Sequence, residues 1–450
     1  MVDEIVRSFL CYVYPLLPIL RLDTFLSALE GKPGHTISPL LFQAVLLAGA
    51  VFVDFSGFRH AGYQQCKDVQ RTLFGRAKAL YDMEVEVNPV TVVQSLLLMT
   101  YWHSRLNDFQ GRVHWLRIAI SLATEAGLHN SNLRYEDPAE NDFRRRLWSC
   151  CIIRSSLVCI GERRQALVPQ AVLCFHDPNL LKWDDTSLSR ALEYYSVAHL
   201  RQQLELFGTL FFQEVELCRE IQHVLHTLYE FSGVRVSEPG IPIMTLIPKT
   251  EAMGSLVISL DERLRMWHGQ ALQLGLFERR HNPFGSLVSL HSAVLEMLYY
   301  TSLSTVHRPM MLRQWQTDTA TEALRRFSSS TLRSSACRIT DIARDLEVNH
   351  EISLLPPVGT AMFIAASLQH LQDSMSTNLD ECRSGSLYLG QVLRIFRLLT
   401  ERYNHVNTAI EYIARVQNGN GEQFDHYLEW EERVSPTGRW ETHRVNALLR

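Results

Sequence analysis

The sequence contains no pair of cysteines separated by two residues, the spacing with which zinc sites held by thiolates usually begin. Most of the cysteines lie in apolar stretches, which is typical of small core residues with free thiols in a reducing compartment. There are nine, scattered along the chain: Cys11, Cys66, Cys150, Cys151, Cys159, Cys174, Cys218, Cys337 and Cys382. We therefore expect no thiolate zinc cluster and no disulfide framework.

Signals for secretion and for membrane insertion are also missing. The first residues, Met1 to Ile5, are acidic and carry neither the basic nor the apolar region of a signal peptide. The apolar run from Leu40 to Val53 contains Gln43 and is shorter than the ~18 to 20 residues that a spanning helix needs. These absences predict a protein that stays inside the cell and has no membrane partner.

The sequence motifs of common enzyme classes are absent too. We find no His-Glu-x-x-His, Gly-x-Ser-x-Gly, Gly-x-x-x-x-Gly-Lys or Gly-x-Gly-x-x-Gly. Asp184 and Asp185 begin like the magnesium-binding Asp-Asp-x-x-Asp of a helical terpene cyclase, but Leu188 occupies the third acidic position. The sequence predicts that the protein is not an enzyme and has no catalytic, cofactor-binding or metal-binding residues.

What the chain does contain is the composition of a folded protein. Hydrophobic residues make up 46% and charged residues 20% of the 450 positions, a balance typical of globular domains. The formal net charge of -4 offers nucleic acid no broad attractive field. Direct DNA binding by this chain is therefore not supported.

Helical spacing dominates the apolar pattern. Leu22, Phe25, Leu26 and Leu29 fall on one face of a helix. Helix starts are marked by a capping residue before proline, at Ser38-Pro39, Asn88-Pro89, Asp137-Pro138 and Asn282-Pro283. Strand signals are almost absent. The pattern predicts an all-α protein, an irregular multi-helix bundle that could divide into two packed helical sub-domains.

Three stretches of the sequence form an ordered pattern. The first runs from Tyr12 to Leu20 and is followed by Thr24-Phe25-Leu26. The second is the most specific, and its signature residues are Trp115, Gly127, Leu128, His129, Arg144, Arg145, Arg146, Leu147 and Trp148. The third is weaker and includes His307-Arg308-Pro309. In this order the stretches resemble the middle homology region of fungal zinc binuclear cluster transcription factors, in the branch related to cutinase-gene regulators.

This resemblance implies a regulator of transcription in the nucleus, controlling a fungal metabolic or secondary-metabolite gene set. The partners it implies are a second copy of the chain or a full-length zinc-cluster regulator, with a small molecule as a possible effector. Since the family's six-cysteine cluster is absent here, we expect the chain to act without its own DNA-binding domain. The alternative is a cytoplasmic helical module that binds proteins or small molecules and has no DNA role.

The resemblance covers nearly the whole chain, and a loop-like stretch in the interior predicts a boundary within it. Residues 1–232 correspond to the regulatory region, and residues 251–417 are expected to form a C-terminal helical part of the same body. Between them, residues 233–250 contain Pro239, Pro242 and Pro248 and are predicted to form a loop. Residues 418–450 are predicted to be a loosely ordered end.

One departure from the family pattern concerns the buried charges. The family usually carries an aspartate beside basic residues after the arginine triplet and then Gly-Arg-Pro, where this chain has Ser155-Ser156 and Gly161-Glu162-Arg163-Arg164. A buried ion pair is therefore expected to be missing, which puts the family's sensing mechanism in question here.

Several side chains allow a functional and a structural interpretation. The triplet Arg144–Arg146 could contact phosphate or direct nuclear import, but we favour pairing with Glu140 or Asp142 on the same helix. Glu220, His223 and His226 share a helix face that could hold a metal, although no fourth ligand is visible.

The remaining candidates are apolar or weakly polar. Cys150-Cys151 could form a redox sensor, but core packing is the favoured interpretation. The helix from Trp115 to Leu122, with Trp148 and Ile152, could line an effector pocket, although we favour an ordinary core there. We also predict that the Trp115–Gly127 and Asp137–Cys159 helices pack together as a central pair.

Overall fold

The computed structural model describes residues 1–54, 58, 62–63, 65–102, 111–130, 135–173, 183–195, 204–237, 241–249, 253–277, 287–312, 319–400, 402–403 and 405–417. Cys174, the Asn282-Pro283 helix start and the predicted terminal segment 418–450 lie outside the described residues. The predicted all-α class is confirmed, because α-helices account for nearly all regular structure in the described ranges.

The helices of the N-terminal half are α1 (Val2–Tyr12), α2 (Leu22–Leu29), α3 (Pro39–Ala50), α4 (Cys66–Asp82), α5 (Pro89–Met99), α6 (Arg112–Glu125), α7 (Pro138–Glu162), α8 (Gln170–Leu173), α9 (Asp185–Tyr194) and α10 (Leu204–Leu228). A hairpin of β1 (Tyr229–Ser237) and β2 (Ile241–Pro248) follows. The helices of the C-terminal half are α11 (Met253–Gln273), α12 (Leu287–His307), α13 (Pro309–Leu312), α14 (Thr319–Val348), α15 (Pro357–Ser374), α16 (Leu379–Leu399) and α17 (His405–Gln417), with a 3-10 turn at Ile352–Leu354 before α15.

Local chemistry at the helix ends explains several of these boundaries. The Asn88 side-chain oxygen accepts a hydrogen bond from the Val90 amide at 3.0 Å, and the Asp137 carboxylate accepts one from Ala139 at 2.9 Å. Each cap precedes a proline at the first helical position, where its missing N–H costs nothing. Gly127, with a φ of 70°, reverses the chain after α6.

The prediction of a loop over residues 233–250 is wrong in its secondary structure. Strands β1 and β2 form a two-stranded antiparallel sheet that pairs Val236 with Pro242 and Tyr229 with Pro248. In a sheet of two strands both are edge strands, so a proline can face outward without removing a ladder hydrogen bond. Pro242 and Pro248 are therefore compatible with the hairpin, while Pro239 lies outside the described residues.

The two halves of the described chain share one contiguous set of buried apolar side chains. Hydrogen bonds also cross between them. The Nε2 atom of His291, on α12, donates to the Cys11 carbonyl at 3.1 Å, and the Arg402 guanidinium donates to the Val51 carbonyl at 2.5 Å. These contacts join the halves, while the boundary proposed at residues 233–250 stays a prediction.

Close helix packing in the C-terminal half depends on one glycine. A Cβ atom at Gly385 of α16 would lie 2.5 Å from the backbone nitrogen of Ser374, at the end of α15. On the same helix, a Cβ atom at Gly390 would meet nothing within 4 Å. Gly385 therefore permits the contact between α15 and α16, whereas Gly390 carries no such constraint.

Candidate functional site

The predicted central helix pair is present. Helices α6 and α7 pack against each other. The Arg144 guanidinium of α7 donates to the carbonyl of Ala126, at the end of α6, at 2.6 Å. The His129 and Trp148 rings meet edge to face, with centroids 5.8 Å apart. The signature residues that follow α6 therefore lie against those on α7.

Two arginines of the triplet pair with carboxylates of their own helix, as the favoured interpretation predicted. Arg144 lies 3.4 Å from Glu140, and Arg145 lies 3.3 Å from Asp142. The Arg144 guanidinium also covers the Tyr135 ring, at 4.4 Å from the centroid. Spacings of three and four residues bring such pairs together on any helix.

The third arginine is buried and holds a loop. Arg146 is 6% exposed and donates from its Nε to the carbonyl of Pro18 at 3.2 Å. It thereby ties α7 to the turn between α1 and α2. All three guanidinium groups are engaged within the chain, so they do not form a free cationic patch.

The aromatic residues proposed as a pocket lining are core residues. Trp115 and Trp148 are each 1% exposed, and Ile152 is fully buried. The Trp115 ring contacts those of Phe74 and Tyr81 edge to face, with centroids 6.0 and 5.4 Å away. Because side chains fill the space around these rings, we keep the interpretation as core for these positions.

The sequence predicts that the buried ion pair of the family is missing near Ser155 and Ser156. The structure has a neutral hydrogen-bond network at these residues. Ser155 and Ser156 are fully buried. The Gln222 side chain, on α10, donates to the two hydroxyl oxygens at 3.3 and 3.0 Å. The Ser156 hydroxyl also lies 2.8 Å from the Cys218 carbonyl. Helices α7 and α10 are thus joined here without formal charge.

Next to this network lies a buried cation that the sequence analysis did not single out. Arg154 is 3% exposed and donates to the hydroxyl of Thr100 at 2.6 Å and to its carbonyl at 2.9 Å. Its guanidinium lies 4.2 Å from the centroid of the Tyr101 ring. No carboxylate within the described ranges forms an ion pair with it.

A buried carboxyl group faces the same region from α10. Burial raises the pKa of Glu214 to about 8, although the nearby positive charge of Arg154 opposes the shift. Its Oε2 atom has no hydrogen-bond partner among the described residues. At neutral pH the group is therefore mainly protonated and carries little of the charge that would balance Arg154.

The sequence held a signal for both buried groups. Arg154 and Glu214 each interrupt an apolar stripe at helical spacing, between Cys150 and Val158 on α7 and between Phe211 and Cys218 on α10. A charged residue inside such a stripe faces the core, where burial demands a specific partner.

Arg154 also lines a cavity of about 70 Å³ between α7 and α15. Its walls are Arg112, Arg154, Leu157, Val158, Gly161, Pro357, Val358, Thr360, Ala361 and Ile364. Arg112 pairs with Glu162, which does not line the cavity, at 2.7 Å. The cavity therefore combines two arginines with aliphatic side chains where the N-terminal and C-terminal halves meet.

The candidate metal ligands are not brought together. The Glu220 carboxylate accepts two hydrogen bonds from Arg263, at 2.9 and 2.7 Å, and the Nε2 atom of His226 lies 2.8 Å from the Val168 carbonyl. In the part of the chain that the structure describes, no three His, Cys, Asp or Glu side chains converge on a possible metal position. Asp184, the start of the possible magnesium motif, instead caps α9 by accepting from the Ser187 amide at 3.1 Å.

The adjacent cysteines also behave as core residues. Cys150 and Cys151 are fully buried. Burial raises the pKa of both thiols well above its ordinary value. Since the thiolate is the reactive form, these thiols lack the character of a redox sensor.

A second polar cluster links α11, α12 and α14. His307 lies 3.0 Å from the Asp261 carboxylate through Nε2 and 2.9 Å from the Ser328 hydroxyl through Nδ1. The order of bonds resembles that of a hydrolytic triad, but Ser328 is fully buried and the Phe327 ring lies edge-on to the imidazole. The cluster therefore connects three helices and offers no accessible nucleophile.

No described helix combines the length and the apolar character that crossing a bilayer requires. Comparison with known proteins shows which family the chain matches. A family model described as the fungal specific transcription factor domain matches residues 6–230.

The chain is 27% identical over 433 residues to cutinase transcription factor 1 beta of Fusarium vanettenii, covering 91% of this chain and 48% of that protein. It is 27% identical over 429 residues to the transcription factor cpaR of Aspergillus oryzae, covering 91% and 70%. It is 26% identical over 374 residues to the acetamidase regulatory protein of Aspergillus fumigatus, covering 82% and 42%. The chain thus spans only about half the length of two of these three relatives.

Proposed function

The chain belongs to the fungal specific transcription factor domain family, and from that membership we propose that it regulates transcription of a fungal metabolic or secondary-metabolite gene set. The observation that carries the proposal is the family match over residues 6–230, which contains the central pair α6 and α7. The names of the relatives, which refer to cutinase and acetamidase regulation, support a metabolic target.

We place the action of the chain in the nucleus and in its regulatory body, with no catalytic step. The engagement of all three triplet arginines within the fold, together with the net charge of -4, argues against DNA contact through that segment. The partner is then a second copy of the chain or a full-length zinc-cluster regulator that supplies the contact with DNA.

A tethering assay tests this function directly. The chain is fused to a heterologous DNA-binding domain in a fungal host that carries the matching reporter gene. We expect reporter expression to rise or fall at least ~3-fold relative to the DNA-binding domain alone. A ~3-fold change corresponds to a free-energy difference of less than ~1 kcal/mol.

Two matched variants act as controls for folding. Trp148→Ala removes a buried ring and should abolish the effect, whereas Gly390→Ala changes an open helix position and should retain it. If a fusion that is folded and nuclear leaves the reporter at the level of the DNA-binding domain alone, the proposed function is wrong. Light scattering of the purified chain then distinguishes a second copy from another protein as the partner.

A further inference from the structure

We propose that the cavity between α7 and α15 binds a short-chain carboxylic acid as its anion, with the carboxylate on Arg154 and Arg112 and the carbon chain on the apolar wall. This inference deepens the proposed regulatory function by assigning an effector class and a site. It does not use the rings of Trp115 and Trp148, which are buried in the core.

The charges around the cavity are unbalanced. Arg154 is buried and its described partners are the hydroxyl, the carbonyl and the ring of two neutral residues, Thr100 and Tyr101. Arg112 is balanced by Glu162 at 2.7 Å. Burial keeps Glu214 mainly protonated, because its pKa is raised to about 8. Among the described residues one buried positive charge therefore remains without a carboxylate beside it, and such a charge is costly unless an anion pairs with it.

The other walls select the kind of anion. Leu157, Val158, Val358 and Ile364 present aliphatic groups beside the two guanidinium groups. An inorganic anion has no apolar group that could contact these aliphatic side chains, whereas a carboxylic acid has an anionic end and an apolar end. Planar guanidinium groups also suit the two oxygens of a carboxylate.

The volume limits the ligand to a few carbon atoms. The cavity measures about 70 Å³, roughly half of the ~150 Å³ of an apolar protein cavity that accepts benzene. Gly161 keeps the space open on α7, because a Cβ atom there would lie 3.3 Å from the Cβ of Ala361 on α15. A chain of about two to four carbon atoms fits these dimensions.

The position of the cavity allows a bound ligand to affect how the two halves of the chain pack. Helix α7 carries the signature residues and α15 belongs to the C-terminal half, so a bound carboxylate contacts both. If the ligand binds more tightly when α7 and α15 are packed together than when they are separated, it stabilises the packed state. The size of the stabilisation is the difference between the two binding free energies.

Isothermal titration calorimetry of the whole chain tests the site. The probes are sodium propionate and sodium butyrate, with propanamide as the uncharged analogue and sodium phosphate as an anion without a carbon chain. We expect one saturable site for the carboxylates with a dissociation constant of ~1 mM or tighter. Propanamide and phosphate should bind at least ~10-fold more weakly.

Three variants localise the binding. Arg154→Met removes the charge, and Ala361→Leu fills the cavity but leaves both arginines in place. Arg146→Met removes a buried arginine of the same helix that does not line the cavity and serves as the matched control. Circular dichroism verifies that each variant is folded. Propionate affinity should fall at least ~10-fold in the first two variants and stay within ~2-fold in the third.

The proposal is overturned if propionate and butyrate give no saturable heat, or if propanamide or phosphate binds as tightly as the carboxylates. It is equally overturned if folded Arg154→Met and Ala361→Leu bind propionate as the unaltered chain does. If the chain binds no carboxylate but changes reporter expression, the proposed function stands and the carboxylate site is wrong. If it binds carboxylates but leaves the reporter unchanged, the site stands and the proposed function is wrong.

Discussion

The buried carboxyl group of Glu214 makes a sharp prediction about stability and pH. Its pKa is raised from the ordinary value of 4.5 to about 8, chiefly by burial. In the unfolded chain the group loses its proton near pH 4.5, whereas in the folded chain it keeps it up to about pH 8. The folded state therefore binds more protons across this window, and its stability falls as the pH rises through it.

The size of the effect follows from the two pKa values. At pH 7 the pH is about 2.5 units above the pKa of the group in the unfolded chain, whereas in the folded chain the group is still mainly protonated. At ~1.4 kcal/mol per pH unit, ionisation therefore stabilises the unfolded chain by about 3 kcal/mol. The variant Glu214→Gln is neutral at every pH and avoids this penalty. Its free energy of unfolding should exceed that of the unaltered chain by about 1 kcal/mol at pH 5 and by about 3 kcal/mol at pH 7.

Urea denaturation followed by circular dichroism at about pH 5, 7 and 8 measures the difference. The matched control is Glu216→Gln on the same helix, whose carboxylate is partly exposed and lies 3.2 Å from Arg219. A partly exposed pair contributes little, so this variant should differ by less than ~1 kcal/mol at all three pH values. A Glu214→Gln difference that does not grow with pH would refute the reasoning.

Three further predictions concern packing and a buried histidine. Trp148→Ala should lower the free energy of unfolding by about 3 to 5 kcal/mol, measured by chemical denaturation, because it empties the space of a ring that is 1% exposed. Gly385→Ala should destabilise by about 1 to 3 kcal/mol in the same assay, because the new methyl group collides with backbone atoms. Burial lowers the pKa of His291 to about 4, so stability that is present above pH 6.5 should be lost as the pH falls towards 4. His291→Gln should make that loss shallower in acid titrations of the melting temperature.

Each of these predictions has a control or a contradicting result. For the glycine, Gly390→Ala on the same helix should be neutral or stabilise by up to ~1 kcal/mol, and equal effects of the two variants would contradict the close approach at Gly385. Unchanged stability of Trp148→Ala would mean that α6 and α7 do not pack through this ring. An acid transition identical in His291→Gln and the unaltered chain would show that this histidine is not buried in its neutral form.

Sequence reasoning succeeded where the relevant interactions are local. Periodicity and caps predicted the helices, and the Asn88 and Asp137 caps are present. The pairing of Arg144 and Arg145 with carboxylates three and four residues away was predictable as well, because a helix brings such neighbours together whatever surrounds it. The family was also predictable, because its signature residues follow one another in a fixed order along the chain.

Local rules failed for the hairpin and for one part of the site. Proline suggested a loop at Pro242 and Pro248, because a proline cannot donate in a ladder. Only the pairing of β1 with β2 shows that the sheet has two strands and therefore tolerates prolines. Likewise, Arg154 and Glu214 could be placed in the core by their apolar neighbours, but the sequence does not show which groups face them.

What the sequence determined by itself is the helical pattern, the caps at Asn88 and Asp137, the pairing of Arg144 and Arg145 with nearby carboxylates, and the family. What only the tertiary structure decided is which distant groups meet: Arg154 with Thr100, Asp261 with His307, and α7 with α15 around a cavity. The physical reason is that helix formation and capping depend on residues within about four positions of each other. The charge and hydrogen-bond balance of a buried group depends instead on neighbours that the packing of whole helices brings to it.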